Sequence, residues 1–252
     1  MQTCQVAQLR SKPIAFYLRH LTGLNDVLMN IAFLTPLHEE HDLFLKALTQ
    51  RGFDCQNTNI GKLPAKVFPQ LKLTLVRGGH GKTQFGIHTQ HVLDHANRFD
   101  LVICAGAGGA LAEGVNVGDV VIGTTTVEHD YNLKFVRRPL PRFEGDAKAI
   151  SSVQRLAIGN GLFGLHFGVI ASGDEDVIEA TRGEDIRERT GGLIVAWEGV
   201  GGARACKFSG VPFLEIRGAT DTANHTAPGD FETNLELVMS NIAAVVVGWR
   251  VK

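Results

Sequence analysis

The sequence predicts a single α/β domain: a three-layer α/β/α arrangement around a central mixed, largely parallel sheet. Three observations carry this expectation. Short apolar runs recur along the chain and alternate with stretches of helical spacing. Turn residues, drawn from 29 glycines and 8 prolines, fall between them. The 252 residues, 44% hydrophobic and 20% charged, supply enough apolar side chains for one large core, with no internal repeat or low-complexity linker to divide it. The domain is placed at 31–252, behind an N-terminal extension (1–30) in which "IAFYLRHLTGL" is a candidate helix.

The elements follow in order. "IAFLTP" (31–36) reads as a buried strand closed by Pro36, and "HEEHDLFLKALTQRGF" as a helix that Gly52 stops. "LKLTLVRGG" (71–79) alternates as a strand does, and 83–98 has helical spacing. "DLVICAGAGGAL" (100–111) reads as a buried strand running into a glycine-rich turn. "VGDVVIGTTTVEHD" (117–130) is another strand, opened by a Gly118-Asp119 turn. Residues 132–148, rich in Arg and Pro, read as a surface loop. "LHFGVIASGDEDV" (165–177) is a strand and a polar loop, and "LIVAWEGVGGARACKFSG" a strand and a helix ending at Gly210. "VPFLEIRGATD" (211–221) is a strand ending in an acid, and 234–251 a C-terminal helix.

Composition excludes several classes. A formal net charge of −1 leaves no basic footprint for nucleic acid. No run reaches the roughly 18–20 apolar residues of a membrane span, and no clean signal-peptide core precedes the domain. Cys4, Cys55, Cys104 and Cys206 form neither a CxxC nor a Cys/His pattern, so the expectation is no metal, no disulfide framework and a reducing, cytoplasmic setting.

Polar residues recur where strands end: Glu39 and Glu40, His80, Glu198, Asp221. Open α/β folds bind ligands beyond those ends. Glu198 is the lone acid in "LIVAWEGV", and a buried carboxylate needs a partner or a proton. "GAGGAL" (106–111) is not a GxGxxG fingerprint and has no P-loop lysine, so close packing in a ligand pocket is the better reading of Ala107, Gly108 and Gly109. The acids of "TPLHEEHD" suit a helix first turn, and H-x-E there is not a metal motif. Asp221 can cap the following helix or act in catalysis, and Arg217, within its strand, needs Glu40, Glu198 or a polar ligand opposite it.

The ordered set "IAFLTPLHEEHDLF", "GGHGKTQ" with "DLVICAGAGGALAEGVNVGDVVIG", "GVIASGDEDVI" and "AWEGVGGARACKFSGVPFLEIRGATD" resembles the nucleoside phosphorylase/nucleosidase superfamily, most closely the methylthioadenosine/S-adenosylhomocysteine nucleosidases. The resemblance implies hydrolysis of the N-ribosidic bond of a purine nucleoside or 5′-substituted analogue, without a cofactor, in a homodimer whose partner subunit closes part of the pocket. It puts Glu40 where the water is activated and Asp221 where the purine N7 is protonated. It puts Glu198, with Trp197, at the ribose and Arg217 beside the ribose and water. Ser172, Asp176 and Val177 fall in the base-binding loop, and Phe231 near the 5′-substituent. Phosphorylases of the superfamily carry a G-D-P-x-R-like loop near the start. "LTPLHEEH" stands there instead, acidic and without Arg, which favours water over phosphate as acceptor. A phosphorylase and a non-catalytic nucleoside-binding protein are the alternatives.

Three departures bear on the substrate. Ala107 replaces the family's Ser in the glycine loop, Ala196-Trp197-Glu198 stands for E-M-E, and Asp174-Glu175-Asp176-Val177 stands where an aromatic stacks on the base. A futalosine-type or other purine riboside therefore stays open as substrate.

Overall fold

The computed structural model describes residues 29–96, 98–156 and 162–251. The candidate helix at "IAFYLRHLTGL" lies outside them. The order is β1 (Ile31–Thr35), α1 (His38–Gln50), β2 (Gln56–Ile60), β3 (Leu63–Phe68), β4 (Leu73–Arg77), α2 (Gly81–His95), β5 (Leu101–Ala110), β6 (Val120–Glu128), β7 (Arg142–Glu144), α3 (Ala147–Gln154), β8 (Leu165–Ser172), α4 (Ala180–Thr190), β9 (Gly192–Ala196), α5 (Gly199–Ser209), β10 (Phe213–Asp221) and α6 (Ala227–Arg250).

The ten strands form one sheet, and β5 is its pivot. The first half of β5 pairs in parallel with β1, Ile31 opposite Leu101 through Leu34 opposite Cys104. Its far end leaves β1 and pairs antiparallel with β9, Gly109 opposite Val195. Along its other edge it pairs in parallel with β10. Strands β5, β10, β6, β8 and β9 thereby close on themselves, while β1, β4, β3 and β2 extend the sheet outward. The sheet is mixed: among the described residues, the parallel pairs are β1–β4, β1–β5, β5–β10, β6–β8 and β8–β9, and the other pairings are antiparallel.

Helices cover both faces. Phe44 and Leu48 of α1, Ala149 and Val153 of α3, and Val238, Met239, Ile242 and Val246 of α6 share one core with Leu214 and Ile216 of β10. Phe85 and Val92 of α2, with Ala203 and Cys206 of α5, form the core on the opposite face. Because side chains alternate along β10, Glu215 and Arg217 point away from α6, toward the face where α5 begins. This phase sets the chemistry of the site.

Local signals explain most element ends. Gly52 takes φ +85° after α1, and its N–H bonds Thr49 O at 2.9 Å. Gly210 takes φ +68° and caps α5. Four expectations are corrected. The "glycine-rich turn" at 106–110 is strand, paired with β10 over 106–109 and with β9 at 109–110, and its glycines stand where backbone and carboxylates approach too closely for side chains. Residues 132–148 hold β7 and the start of α3. The C-terminal helix begins at Ala227, before the expected 234, and the helix expected at 83–98 begins at Gly81 and ends at His95. Strand β2 and helix α4 carry no apolar stripe. In β2, Gln56, Asn57, Thr58 and Asn59 are all exposed, and the strand is held by its ladder to β3.

Candidate active site

A cavity of about 940 Å³ opens beyond the carboxyl ends of the strands. Its wall draws on Pro36, Leu37 and Glu40 after β1, Ala107–Gly109 of β5, Val195–Glu198 at the end of β9 and Arg217, Thr220 and Asp221 of β10. Glu175–Ile178 after β8 and Phe231 and Leu235 of α6 complete it. Chain distant in sequence converges there because β1, β10 and β9 all pair with β5.

Glu40 sits in the first turn of α1, where the helix dipole favours an acid. Its Oε2 accepts the Leu37 N–H at 2.8 Å, so it caps its own helix. Its Oε1 reaches across the cavity floor and accepts the Ala107 N–H at 2.7 Å. The side chain is 2% exposed. Burial, then the charge of Glu198, raises its pKa from 4.5 to about 7, against the pull of Arg217 and the two backbone N–H groups. A Cβ at residue 106 would stand 2.4 Å from Glu40 Oε1, which is why glycine occupies that strand position.

Arg217 is the cation at the centre. Its Nε donates to Glu215 Oε1 at 2.8 Å, Nη1 to Ala107 O at 3.2 Å, and Nη2 to Glu198 Oε2 at 3.1 Å and Cys104 Sγ at 3.3 Å. Burial works against its charge, but the carboxylates of Glu215, Glu198 and Glu40 together hold its pKa well above the usual value. Burial pushes the Cys104 thiol well up, so it stays neutral. Glu198 starts α5, and its Oε1 accepts the Gly81 N–H at 3.2 Å, with His80 Nδ1 at 3.6 Å. The sequence left Glu40 and Glu198 equal as partners for Arg217; the ion pair is with Glu198.

Asp221 ends β10 beside Gly109, where a Cβ would stand 2.7 Å from its Oδ1. Oδ1 accepts the Ala223 N–H and Oδ2 the Thr220 hydroxyl, each at 2.8 Å. Ala223 adopts φ +51° to present that N–H. Burial raises the Asp221 pKa, opposed by those two hydrogen bonds. Asp221 does not cap α6, whose N-cap is Thr226; it braces the turn after β10 and lines the cavity. Glu40 and Asp221 meet β5 two to three residues apart, roughly 7–10 Å along the strand.

The acidic loop after β8 is not a row of free carboxylates. Asp174 Oδ1 accepts the Lys82 N–H at 2.7 Å, and Glu175 forms a two-point pair with Arg182 at 2.7 and 2.6 Å. Glu175, already held by Arg182, lines the cavity with Asp176, buried Val177 and Ile178. Trp197 lines the wall and lies 4.3 Å from the His80 ring. Phe231 lines the α6 side.

Of the site residues expected from sequence, Glu40, Asp221, Glu198, Trp197, Arg217, Val177, Asp176, Ala107, Gly108, Gly109 and Phe231 all line the cavity. Ser172 does not. It is fully buried, donates to Trp197 O at 2.8 Å and accepts the Val200 N–H at 3.0 Å, pinning the β9–α5 turn. Two residues were missed. His80 was noted only as a strand-end residue, and Glu215 had a usable signal, since Glu-x-Arg in a strand puts both side chains on one face. Among the described residues, no group of three or more His, Cys, Asp or Glu side chains could hold a metal, and no helix is long and apolar enough to cross a membrane.

Fold and cavity together define an α/β protein with an acid-lined ligand site at its strand ends. Residues 31–248 match the sequence model of the phosphorylase superfamily, and the chain belongs to that family. It is 28% identical to a 5′-methylthioadenosine/S-adenosylhomocysteine nucleosidase of Exiguobacterium sp. over 87% of this chain and 96% of the relative. It is 31% identical to the protein of that name from Tolumonas auensis over 69% of this chain and 78% of the relative. The Neisseria meningitidis 5′-methylthioadenosine/S-adenosylhomocysteine nucleosidase, solved with methylthio-immucillin-A, aligns with a TM-score of 0.75 at 27% identity, covering 88% of this chain and 98% of that one.

Proposed function

We propose that this chain is a nucleosidase that hydrolyses the N-ribosidic bond of a purine nucleoside or 5′-substituted analogue of the methylthioadenosine/S-adenosylhomocysteine type. The observation that carries the reading is the placement of two buried carboxyls, Glu40 and Asp221, both with raised proton affinity, at separate points of one cavity with the Glu198–Arg217 pair between them in the wall. The named relatives support it.

Cleavage of an N-ribosidic bond builds positive charge on the sugar and leaves a purine that departs poorly as an anion. Asp221, whose proton affinity burial raises, gives its proton to the purine N7. Glu40, in its ionised form, takes a proton from the attacking water; its two backbone donors fix the carboxylate while leaving lone pairs free. Each proton transfer is worth roughly 10²–10⁴-fold. Glu198 accepts the ribose hydroxyls, held by Arg217 and the Gly81 N–H. Trp197 gives the sugar a flat apolar wall, Val177 and Asp176 border the base, and Phe231 borders the 5′-group. Ala107 contributes through its backbone N–H. A phosphate dianion would find the Arg217 donors already committed and Glu40 and Glu198 beside it, so water is the acceptor.

The described thiols Cys55, Cys104 and Cys206 are free, which supports a cytoplasmic setting. The exposed run of Leu133, Phe135 and Val136 supports a homodimer. The test of function is a nucleoside panel scored for free base with and without phosphate. Base release without phosphate is expected. Release only with phosphate identifies a phosphorylase, and binding without release a non-catalytic binding protein.

A further inference from the structure

Glu215 lies beneath the cavity wall and does not line it. It is 1% exposed, on the same face of β10 as Arg217. Its Oε1 accepts Arg217 Nε at 2.8 Å, and its Oε2 accepts the Thr126 hydroxyl of β6 at 2.6 Å. The start of α5 is shaped around it: a Cβ on Gly199 would fall 1.9 Å from Glu215 Oε2, so only glycine lets the helix begin there. An apolar side chain would fill this space without desolvating a charge. Burying an acid here is costly unless its negative charge serves the guanidinium.

We propose that Glu215 is a positioning residue for the hydrolytic reaction: it grips Arg217 from behind and balances its charge, so that Arg217 fixes Glu198 for the ribose while Glu40 remains able to take up a proton. The geometry divides the guanidinium. Its Nε edge is committed to Glu215, its Nη1 to the β5 carbonyl of Ala107, and its Nη2 to Glu198. With the Nε edge released, the fork can rotate about its long side chain and Glu198 loses its fixed partner. With the charge of Glu215 removed, the positive field of Arg217 falls on the remaining acids. The ionisable groups facing this cluster are Glu40 from α1, Cys104 from β5, Glu198 from the start of α5 and His80 beside it. Burial holds Glu40 near the middle of the working pH range.

The inference rests on the nucleosidase reading above, and its test separates the two. Glu215→Gln keeps shape and an acceptor for Arg217 Nε but removes the charge. Glu215→Asp keeps the charge but is one methylene too short to span Arg217 and Thr126. The intact chain and both variants are assayed for base release across pH 5–9, with melting temperature measured alongside. In Glu215→Gln the acid limb of kcat/KM is expected to move to lower pH by about half a unit or more. In Glu215→Asp the limb stays put and kcat/KM falls about tenfold or more as Glu198 loses its alignment. Carboxyl-carbon NMR titration of Glu40 in the unmodified chain and Glu215→Gln reads the same shift without turnover. An inactive parent chain with a shifted Glu40 titration overturns the functional reading and keeps the charge-balance role. An active parent whose Glu215→Gln form keeps its pH profile and Glu40 titration overturns the proposal. If Glu215→Gln does not fold, a displaced acid limb in Glu215→Asp overturns it instead.

Discussion

Replacing Glu40 by Gln exposes the cost of keeping a base in a dry site. In the unfolded chain Glu40 loses its proton near 4.5, and in the folded chain near 7. Below 4.5 both states hold the proton and the group does not disfavour folding. Between the two values the unfolded state has released it while the folded state retains it, so this group's contribution to stability declines as pH rises and is gone above about 7. At about 1.4 kcal/mol per pH unit the whole loss is about 3 kcal/mol. Gln is neutral throughout and removes that dependence. It also turns an NH₂ toward either Leu37 N–H or Ala107 N–H, a penalty of roughly 1–3 kcal/mol. That penalty does not vary with pH, so the difference in slope isolates the charge. Urea unfolding of the two proteins from pH 4.5 to 8 is the assay. The parent is expected to lose about 3 kcal/mol relative to Glu40→Gln over that interval, and parallel curves would refute the argument. In turnover, the parent gains activity as pH rises through about 7, and Glu40→Gln loses roughly 10²–10⁴-fold in kcat/KM.

Two further outcomes follow from the site. Asp221→Asn keeps an acceptor for the Ala223 N–H, so it should melt like the parent while base release drops by roughly 10²–10⁴-fold; full activity would remove Asp221 from the mechanism. Sedimentation of the intact chain is expected to give a dimer, and Phe135→Asp, at a fully exposed position, is expected to shift it to monomer; a monomeric parent would end that proposal.

The fold class was legible because buried strands and amphipathic helices leave periodic traces, and β1, α1, β6 and β10 fall where their patterns put them. Strand β2 and helix α4 were not legible. One is exposed at Gln56–Asn59 and rests on its ladder to β3, with Ile60 alone of its residues buried in the core. The other, "ATRGEDIRERT", buries Gly183, Ile186 and Thr190 and is stitched by Arg182 to Asp185. The glycines of β5 misled for a physical reason. Glycine marks a turn when it supplies φ, and here it supplies space, for the Glu40 carboxylate at Gly106 and for Asp221 at Gly109. Glu40, Glu198 and Asp221 line one cavity because strand-end position is readable from sequence, whereas Trp197, Asp176, Val177 and Phe231 were expected there from the family resemblance. Ser172 failed because its neighbours in space, Trp197 O and Val200 N, are backbone atoms that no side-chain pattern announces.

The charge balance at the sugar end gives the arrangement its direction. Glu40, Glu198 and Glu215 surround a single guanidinium, so with all of them ionised the cluster carries more negative than positive charge. In a resting buried site that surplus is unfavourable, and burial answers it by raising the proton affinity of Glu40 and Glu215. In the proposed reaction the sugar turns cationic facing Glu40 and Glu198, the two of these acids that line the cavity, as the N-ribosidic bond breaks. The repulsion among them is then relieved by the reacting group itself, and the relief is available only once charge has begun to separate. Stabilisation that strengthens toward the transition state raises kcat rather than merely tightening binding. A phosphate acceptor would reverse the logic by adding negative charge before the cation exists. The acid surplus around Arg217 therefore belongs with water as the attacking group.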